Sequence, residues 1–316
     1  MNYKVLESPR IPIALDSSNT GSNTRKMALI GHLVGGEKVR KYLNHYTLDG
    51  LESFLEDLGN ISSEHCPNTG TLITDLVEDR SFLPIVIENL RMRESLDDDF
   101  IQHFFNPTFI SSKAKGKEAD QHIGLQSHLI PLDWDINSEK HVRLGRLKTE
   151  MSAAEVLLRN ADYINIDLNV IRYADNPGPK ASTAGLTIED VCMLAKYAGA
   201  STQLKAITIS GYNQHQDVQE ISARNVALIT WYLIDGFRLR CRELENVNSE
   251  RSFTIIPDDI DGELKFVENQ NTGRWWVEVF SDSAEKEVRM ACGKEDYEAA
   301  CQNEISDRLT TILTSI

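Results

Sequence analysis

The stretch INIDLNVIRYADNPGP, residues 164–179, combines a buried strand with a loop that carries polar and charged side chains. Asp167 stands at the end of an apolar run, and Asn169, Arg172 and Asp175 follow it at short spacings. The prolines and glycines after them exclude regular structure from the loop. The stretch therefore predicts a strand end that binds a metal, or the remains of one.

Strand and helix patterns alternate on both sides of this stretch. Short apolar runs predict buried strands, and runs with apolar residues at helical spacing predict helices. Thr187 is expected to cap one helix through a capping box with Asp190, and Gly199 to end it. The predicted strands include 27–31, 83–87 and 204–212, and the predicted helices include 35–46, 69–80, 186–199 and 221–243. The alternation predicts an α/β fold with a parallel sheet and helices on both faces.

The two ends of the chain differ from this middle part. Residues 1–26 are rich in Ser, Asn and Thr, which is typical of a mobile arm. Residues 262–280 read as a β-hairpin around Asn-Gln-Asn-Thr-Gly, and a terminal helix follows. We therefore expect an arm at 1–26, an α/β domain at 27–250, and a hairpin–helix extension at 251–316 packed on the same domain.

Composition restricts the classes of partner. The net charge of −15 argues against nucleic-acid binding, because phosphate binding needs a surplus of Lys and Arg. The sequence has no apolar run near the ~20 residues that span a bilayer, and no signal-peptide pattern. The five cysteines include no CxxC pair. We expect a cytoplasmic protein without membrane insertion.

Several segments carry a family resemblance. NIDLNVIRYADNPGPKASTAGLTIED (165–190) resembles the S-x-D-x-D-x-x-D-P segment and the G-G-L-T helix start of the ureohydrolase superfamily, which comprises arginase, agmatinase and formimidoylglutamase. EDLGNI (56–61) is similar to the family's D-L-G-D turn, and SARNVALITWYLIDG (222–236) to its T-A-R-L-A helix. RWWVEVF (274–280) resembles the extension of the formimidoylglutamase-like subgroup. The resemblance implies a three-layer α/β/α sandwich around a parallel sheet of about eight strands, with a C-terminal extension.

The resemblance also implies a site. Active members hold two manganese ions at the carboxyl ends of the strands, and a bridging hydroxide attacks a guanidine or formimidoyl carbon. The ligands come from three motifs at three strand ends: G-G-x-H, D-A-H-x-D and D-x-D. Two divalent ions close together need several carboxylates to offset their charge.

The first two motifs are not preserved in this chain. Residues 88–91 read Glu-Asn-Leu-Arg, so that Arg91 takes the place of the ligand histidine. The second motif should follow the strand PTFIS, where the candidates are Asn106, Thr108 and Ile110. None of these side chains replaces a histidine or aspartate ligand.

The third motif is partly preserved. Asp167 remains, whereas Asn169 and Arg172 take the other acidic positions, and Gly211 replaces the glutamate that grips the substrate in family members. Because a neutral Asn supplies no countercharge, we expect no metal and no manganese cofactor. One hypothesis is that the Arg172 guanidinium pairs with Asp167; the alternative is that Arg172 points to solvent.

A second histidine cluster lies elsewhere. His122 and His128, with Glu118 and Asp120, suggest an unrelated metal site, but their spacing matches no ligand signature. We expect ordinary polar loop residues there.

The sequence thus favours a ureohydrolase-fold pseudoenzyme with a binding, scaffolding or regulatory role, and with protein partners or self-association. One alternative is an active manganese-dependent hydrolase of C–N bonds in linear amidines. Another is a small-molecule sensor that uses the old substrate cleft.

Overall fold

A computed structural model of the chain describes residues 26–32, 36–46, 50–61, 73, 77, 82–89, 98–135, 138–178, 182–245, 249–257, 262–281 and 286–314. The predicted arm at 1–26 therefore lies outside the described residues except for Lys26, and the predicted helix at 69–80 does so except for Ile73 and Val77. Contacts between residues divide the chain into two units, with the main division between Cys241 and Arg242.

The first unit is built on an eight-stranded sheet whose strands run in the order β2-β1-β3-β8-β7-β4-β5-β6. Each pair of neighbouring strands in this sheet is parallel. The strands are β1 Lys26–His32, β2 Leu55–Ile61, β3 Phe82–Asn89, β4 Pro107–Ile110, β5 Gln121–Leu125, β6 His141–Arg143, β7 Tyr163–Asp167 and β8 Ala206–Tyr212. The predicted parallel α/β sheet of about eight strands is confirmed.

Helices cover both faces of this sheet. The helices are α1 Gly36–Leu43, α2 Asp98–Ile101, α3 Leu144–Thr149, α4 Ser152–Asn160, α5 Ile188–Gly199 and α6 Ile221–Glu245. Successive strand residues point to opposite faces. Ile164 and Ile166 accordingly belong to the core shared with α3 to α6, whereas Tyr163 belongs to the core on the other face with Phe100 and Phe104.

The start of α5 has the predicted capping box. Thr187 Oγ1 accepts from the Asp190 backbone N–H at 3.2 Å, and Asp190 Oδ2 accepts from the Thr187 N–H at 2.7 Å. The helix ends at Gly199 as predicted, but Ala200 is the capping residue. A Cβ on Gly199 would lie 2.0 Å from the Leu233 carbonyl oxygen. A glycine is therefore needed at this position because α5 packs closely against α6, and not because the helix ends there.

The second unit contains a four-stranded antiparallel sheet in the order β12-β11-β10-β9. Its elements are β9 Glu250–Ile255, β10 Leu264–Asn269, β11 Arg274–Ser281, β12 Lys286–Cys292, α7 Lys294–Ala300 and α8 Asp307–Thr314. The predicted hairpin is present as β10 and β11. The prediction of a single terminal helix is wrong, because the chain turns between α7 and α8, where Asn303 has a φ of 60°.

The contact between α5 and α6 yields a test of this packing. A Cβ on Gly236 would lie 2.1 Å from the Lys196 carbonyl oxygen, a backbone atom that cannot move aside cheaply. We expect Gly236→Ala to lower the free energy of unfolding by about 2–3 kcal/mol. The control is Gly145→Ala in α3, where a Cβ would meet nothing within 4 Å. That change should be neutral or stabilising by up to about 1 kcal/mol. Urea unfolding of both variants measures the difference, and equal effects would contradict the close contact.

Candidate functional site

The candidate site lies at the carboxyl ends of four neighbouring strands, β3, β8, β7 and β4. In an open α/β sheet this edge, near a change in strand order, is where ligands ordinarily bind. Polar side chains collect there: Glu88 near the end of β3, Ser210 on β8, Asn165 and Asp167 on β7, and Lys115 in the loop after β4.

Lys115 is the centre of this group. Its Nζ lies 2.9 Å from Asp167 Oδ2, 3.1 Å from Asn165 Oδ1 and 3.4 Å from Ser210 Oγ. An ammonium group carries three N–H donors, and three acceptors surround this one. The cation is therefore bound by the protein itself, and its side chain is only 32% exposed.

Asp167 is engaged through both of its carboxylate oxygens. Oδ2 faces Lys115, while Oδ1 accepts from the backbone N–H of Asn169 at 2.9 Å and from its Nδ2 at 2.7 Å. Burial alone would raise the pKa of the Asp167 carboxyl, but the Lys115 ammonium and the Asn169 donors outweigh it and hold the pKa below its ordinary value. Asp167 is therefore an ionised, fully bonded carboxylate.

Gly211 completes this arrangement. It has a φ of +85°, and a Cβ there would lie 2.8 Å from Asp167 Oδ1 and 2.9 Å from Asn169 Nδ2. A residue with a side chain does not fit there without displacing the pair. The structure thus brings together three of the positions that the sequence singles out, Asp167, Asn169 and Gly211.

Arg172 lies apart from them. Its Nε is 3.0 Å from Asp175 Oδ2, and its side chain is 44% exposed. The hypothesis that Arg172 pairs with Asp167 is wrong, because Lys115 takes that position while Arg172 pairs within its own loop. Arg91, the other cation that the sequence singles out, lies outside the described residues.

The candidates for the second ligand motif do not reach the site either. Thr108 is buried and donates to Gln121 Oε1 at 2.8 Å, and Ile110 belongs to the core. The Asn106 amide donates to the Asn160 carbonyl oxygen at 3.3 Å. The residue that does reach it is Lys115, five positions after the end of β4. In the sequence, Lys115 and Lys117 flank Gly116, and this pattern could have marked a loop with a function. Ordinary solvent-exposed loop lysines would give the same pattern, so that the sequence does not single out Lys115.

The loop that carries Lys115 is held by local contacts. Gly116 has a φ of +62°, and Asp120 Oδ2 accepts from the Lys117 backbone N–H at 2.7 Å. The Lys115 carbonyl oxygen lies 2.6 Å from His122 Nε2. These contacts direct the Lys115 side chain toward the strand ends.

Among the described residues, His122 belongs to no group of His, Cys, Asp or Glu side chains that could hold a metal. It is fully buried on β5, where its ring stacks on Phe109 and where burial lowers its pKa to about 4. Its ring nitrogens contact the backbone carbonyls of Lys115 and Asp120, while His128 is exposed. The expectation of ordinary polar loop residues is thus wrong for His122, because the chain forms strand β5 there, paired on both sides with β4 and β6.

Buried hydrogen bonds to Thr208 hold the site residue Asn165 in place. Asn165 Nδ2 donates to Thr208 Oγ1 at 2.7 Å, and the Tyr163 hydroxyl lies 2.7 Å from the same Oγ1. These bonds fix the orientation of the Asn165 amide. The Asn165 Oδ1 therefore faces the carboxyl ends of the strands, where it accepts from Lys115 Nζ and from Ser210 Oγ.

Glu88 is the remaining carboxyl of the site. Its Oε1 is buried and has no hydrogen-bond partner among the described residues. Burial raises the pKa of the Glu88 carboxyl to about 7; Lys115 opposes this rise, and Asp167 adds to it. The sequence offers no sign of this role, because burial depends on the assembled sheet.

The donor set does not fit two divalent ions. Across the part of the chain that the structure describes, no group of three His, Cys, Asp or Glu side chains converges as metal ligands would. At the strand ends, Asp167 is already bonded through both oxygens and an ammonium group lies against it. A dication held beside that ammonium would meet like charge instead of a ligand.

The fold is that of the arginase-like ureohydrolases, a class of α/β proteins built on an eight-stranded parallel sheet. Formimidoylglutamase from Bacillus subtilis superposes with a TM-score of 0.54 at 15% identity, over 69% of this chain and 89% of that chain. Formiminoglutamase from Trypanosoma cruzi, solved with Mn2+, has a TM-score of 0.51 at 13% identity, over 71% of this chain and 97% of that chain. These likenesses show that the chain has the ureohydrolase fold.

No protein-family model and no curated protein sequence matches the chain. Within the described residues, no helix is both long enough and apolar enough to cross a membrane.

The raised pKa of Glu88 predicts a pH dependence of stability. Between the ordinary carboxyl pKa of 4.5 and about 7, the folded chain holds a proton on Glu88 that the unfolded chain releases. Stability should therefore fall as the pH rises through this range, by at most about 1.4 kcal/mol per pH unit. Glu88→Gln is neutral at every pH and should remove this contribution.

Urea unfolding between about pH 5 and about pH 8 measures this effect. The control is Glu189→Gln, which changes an exposed carboxylate of α5 and should keep the wild-type slope. An unchanged slope in Glu88→Gln would show that Glu88 is not the titrating group.

Proposed function

We propose that this chain is a non-catalytic ureohydrolase-fold protein with a binding, scaffolding or regulatory role. The observation that supports this proposal is the Lys115 ammonium bound against Asp167, 2.9 Å from Oδ2, at the strand ends. Metal-dependent hydrolysis at this edge would need a cluster of negatively charged ligands. The chain instead supplies its own cation there.

The magnitudes support the same conclusion. A dication ~3 Å from an ammonium is repelled by about 11 kcal/mol at an effective dielectric constant of about 20. A single carboxylate at the same distance attracts the dication equally, so that the two contributions cancel. Asp167 alone therefore does not recruit a divalent ion while Lys115 is in place.

The strand-end positions also favour a role in binding. Asp167 is kept from the family motif, Asn169 donates two hydrogen bonds to it, and Gly211 leaves both side chains the space that a Cβ would fill. With a net charge of −15, the partner class is a protein or a second copy of this chain rather than a nucleic acid. We propose that the protein acts in the cytoplasm, because its cysteines form no CxxC pair or disulfide pattern.

Metal content and turnover test the non-catalytic proposal. The protein is purified with MnCl2 present, and its manganese is measured by elemental analysis. Release of urea or formamide from linear amidines is then assayed. We expect far less than one manganese per chain and no release above a protein-free blank. Bacillus subtilis formimidoylglutamase, taken through the same protocol, serves as the positive control. Stoichiometric manganese with turnover would contradict the proposal and identify an amidine hydrolase.

The binding role predicts an assembly. Sedimentation of the purified chain should give a mass above that of the 35.6 kDa monomer, or the tagged chain should retain a protein partner from its native cells. A monomer that retains no partner would contradict this role. If that monomer is instead stabilised against heat by an amino acid or a polyamine, it is a small-molecule sensor.

A further inference from the structure

We infer that the Lys115 ammonium is a built-in replacement for a metal cation, and that removing it converts the strand ends into a site for a hard divalent cation. This inference rests on the proposed non-catalytic function and deepens it. It assigns to Lys115 the charge-balancing role that a bound metal would otherwise have.

The first support is convergence of oxygens on a single point. Asp167 Oδ2, Asn165 Oδ1 and Ser210 Oγ lie 2.9, 3.1 and 3.4 Å from Lys115 Nζ. Carboxylate, amide and hydroxyl oxygens are ligands that Mg2+, Mn2+ and Ca2+ accept. Small side-chain shifts would bring these oxygens to the 2.0–2.6 Å range of metal–oxygen bonds.

The second support is Glu88. Its Oε1 is buried without a hydrogen-bond partner among the described residues. The charges of Lys115 and Asp167 both act on its carboxyl. The strand ends thus contain two carboxyl groups and one ammonium. Without the ammonium, the ionised Asp167 would lack a compensating cation, and an added divalent ion would supply that charge, with Glu88 as a second carboxyl that can ionise beside it.

The third support is that the position of Lys115 is built by the fold. Its carbonyl oxygen is 2.6 Å from the buried ring of His122, and the following Gly116 makes a turn with a φ of +62°. Lys113, two residues earlier in the same loop, is exposed instead. The two lysines therefore form a matched pair, of which only one serves as the internal cation.

The test compares Lys115→Ala with Lys113→Ala in the full chain. Without divalent ions, we expect Lys115→Ala to lower Tm by about 5–10 °C and Lys113→Ala to change it by less than about 2 °C. MgCl2, MnCl2 or CaCl2 should then raise the Tm of Lys115→Ala by about 5 °C at saturation. The same salts should leave the wild type and Lys113→Ala unchanged.

A double variant separates the specific site from general salt effects. In Lys115→Ala/Asp167→Asn the carboxylate that needs the cation is gone. We therefore expect part of the lost Tm to return and the response to divalent ions to disappear. Lys115→Met, which keeps the apolar stem, replaces Lys115→Ala in the comparison of Tm without metal if the alanine variant does not fold.

Two results would overturn the inference. One is a Tm of the Lys115 variant equal to that of Lys113→Ala. The other is a divalent-ion response that is absent from Lys115→Ala or persists in the double variant. Failure of the proposed function looks different, because it appears as manganese and turnover in the wild-type protein, whatever the Lys115 variants do.

Discussion

The Lys115–Asp167 ion pair is the interaction around which this edge of the molecule is organised. A carboxylate buried among parallel strand ends needs a cation, since its desolvation is otherwise uncompensated. Lys115 meets this need at 2.9 Å, and it simultaneously joins β7, β8 and the loop after β4. The same ammonium opposes metal binding, because Asp167 is already neutralised by it and hydrogen-bonded, and so does not attract a divalent ion. One ion pair thus both stabilises these strand ends and opposes a divalent ion beside Asp167.

The surrounding residues make sense only in relation to this pair. Asn169 donates twice to Asp167 and so holds the carboxylate in one orientation. Thr208 fixes the Asn165 amide, which then accepts from the ammonium. Gly211 has no side chain because Asp167 and Asn169 occupy the space where a Cβ would lie. Asp167, Asn165 and Asn169 are thus hydrogen-bonded within the protein, whereas Glu88 Oε1 has no partner among the described residues.

Much of the fold follows from local patterns. The alternation of apolar strands and amphipathic helices predicts the parallel sheet, and the capping box with Asp190 predicts Thr187 as the N-cap of α5, although the predicted helix of 186–199 begins two residues before the observed one. Local patterns are less reliable where tertiary contacts dominate. Gly199 has the pattern of a helix stop, yet its reason is the Leu233 carbonyl of the packed neighbouring helix. His122 has the pattern of a polar loop, yet its ring is buried on β5, a strand paired on both sides.

The sequence by itself determined the fold class, because the alternation of strands and helices depends on the identity and spacing of residues along the chain. From the same information it predicted that the metal-ligand motifs are lost. It also placed Asp167, Asn169 and Gly211 among the positions of interest. Only the tertiary structure decided which cation faces Asp167. Arg172 is close to Asp167 in sequence, whereas Lys115 is 52 positions away and comes near it only because β4 and β7 are neighbours in the sheet. Charge pairing depends on distance in space, and a parallel sheet brings together strand ends that are far apart along the chain.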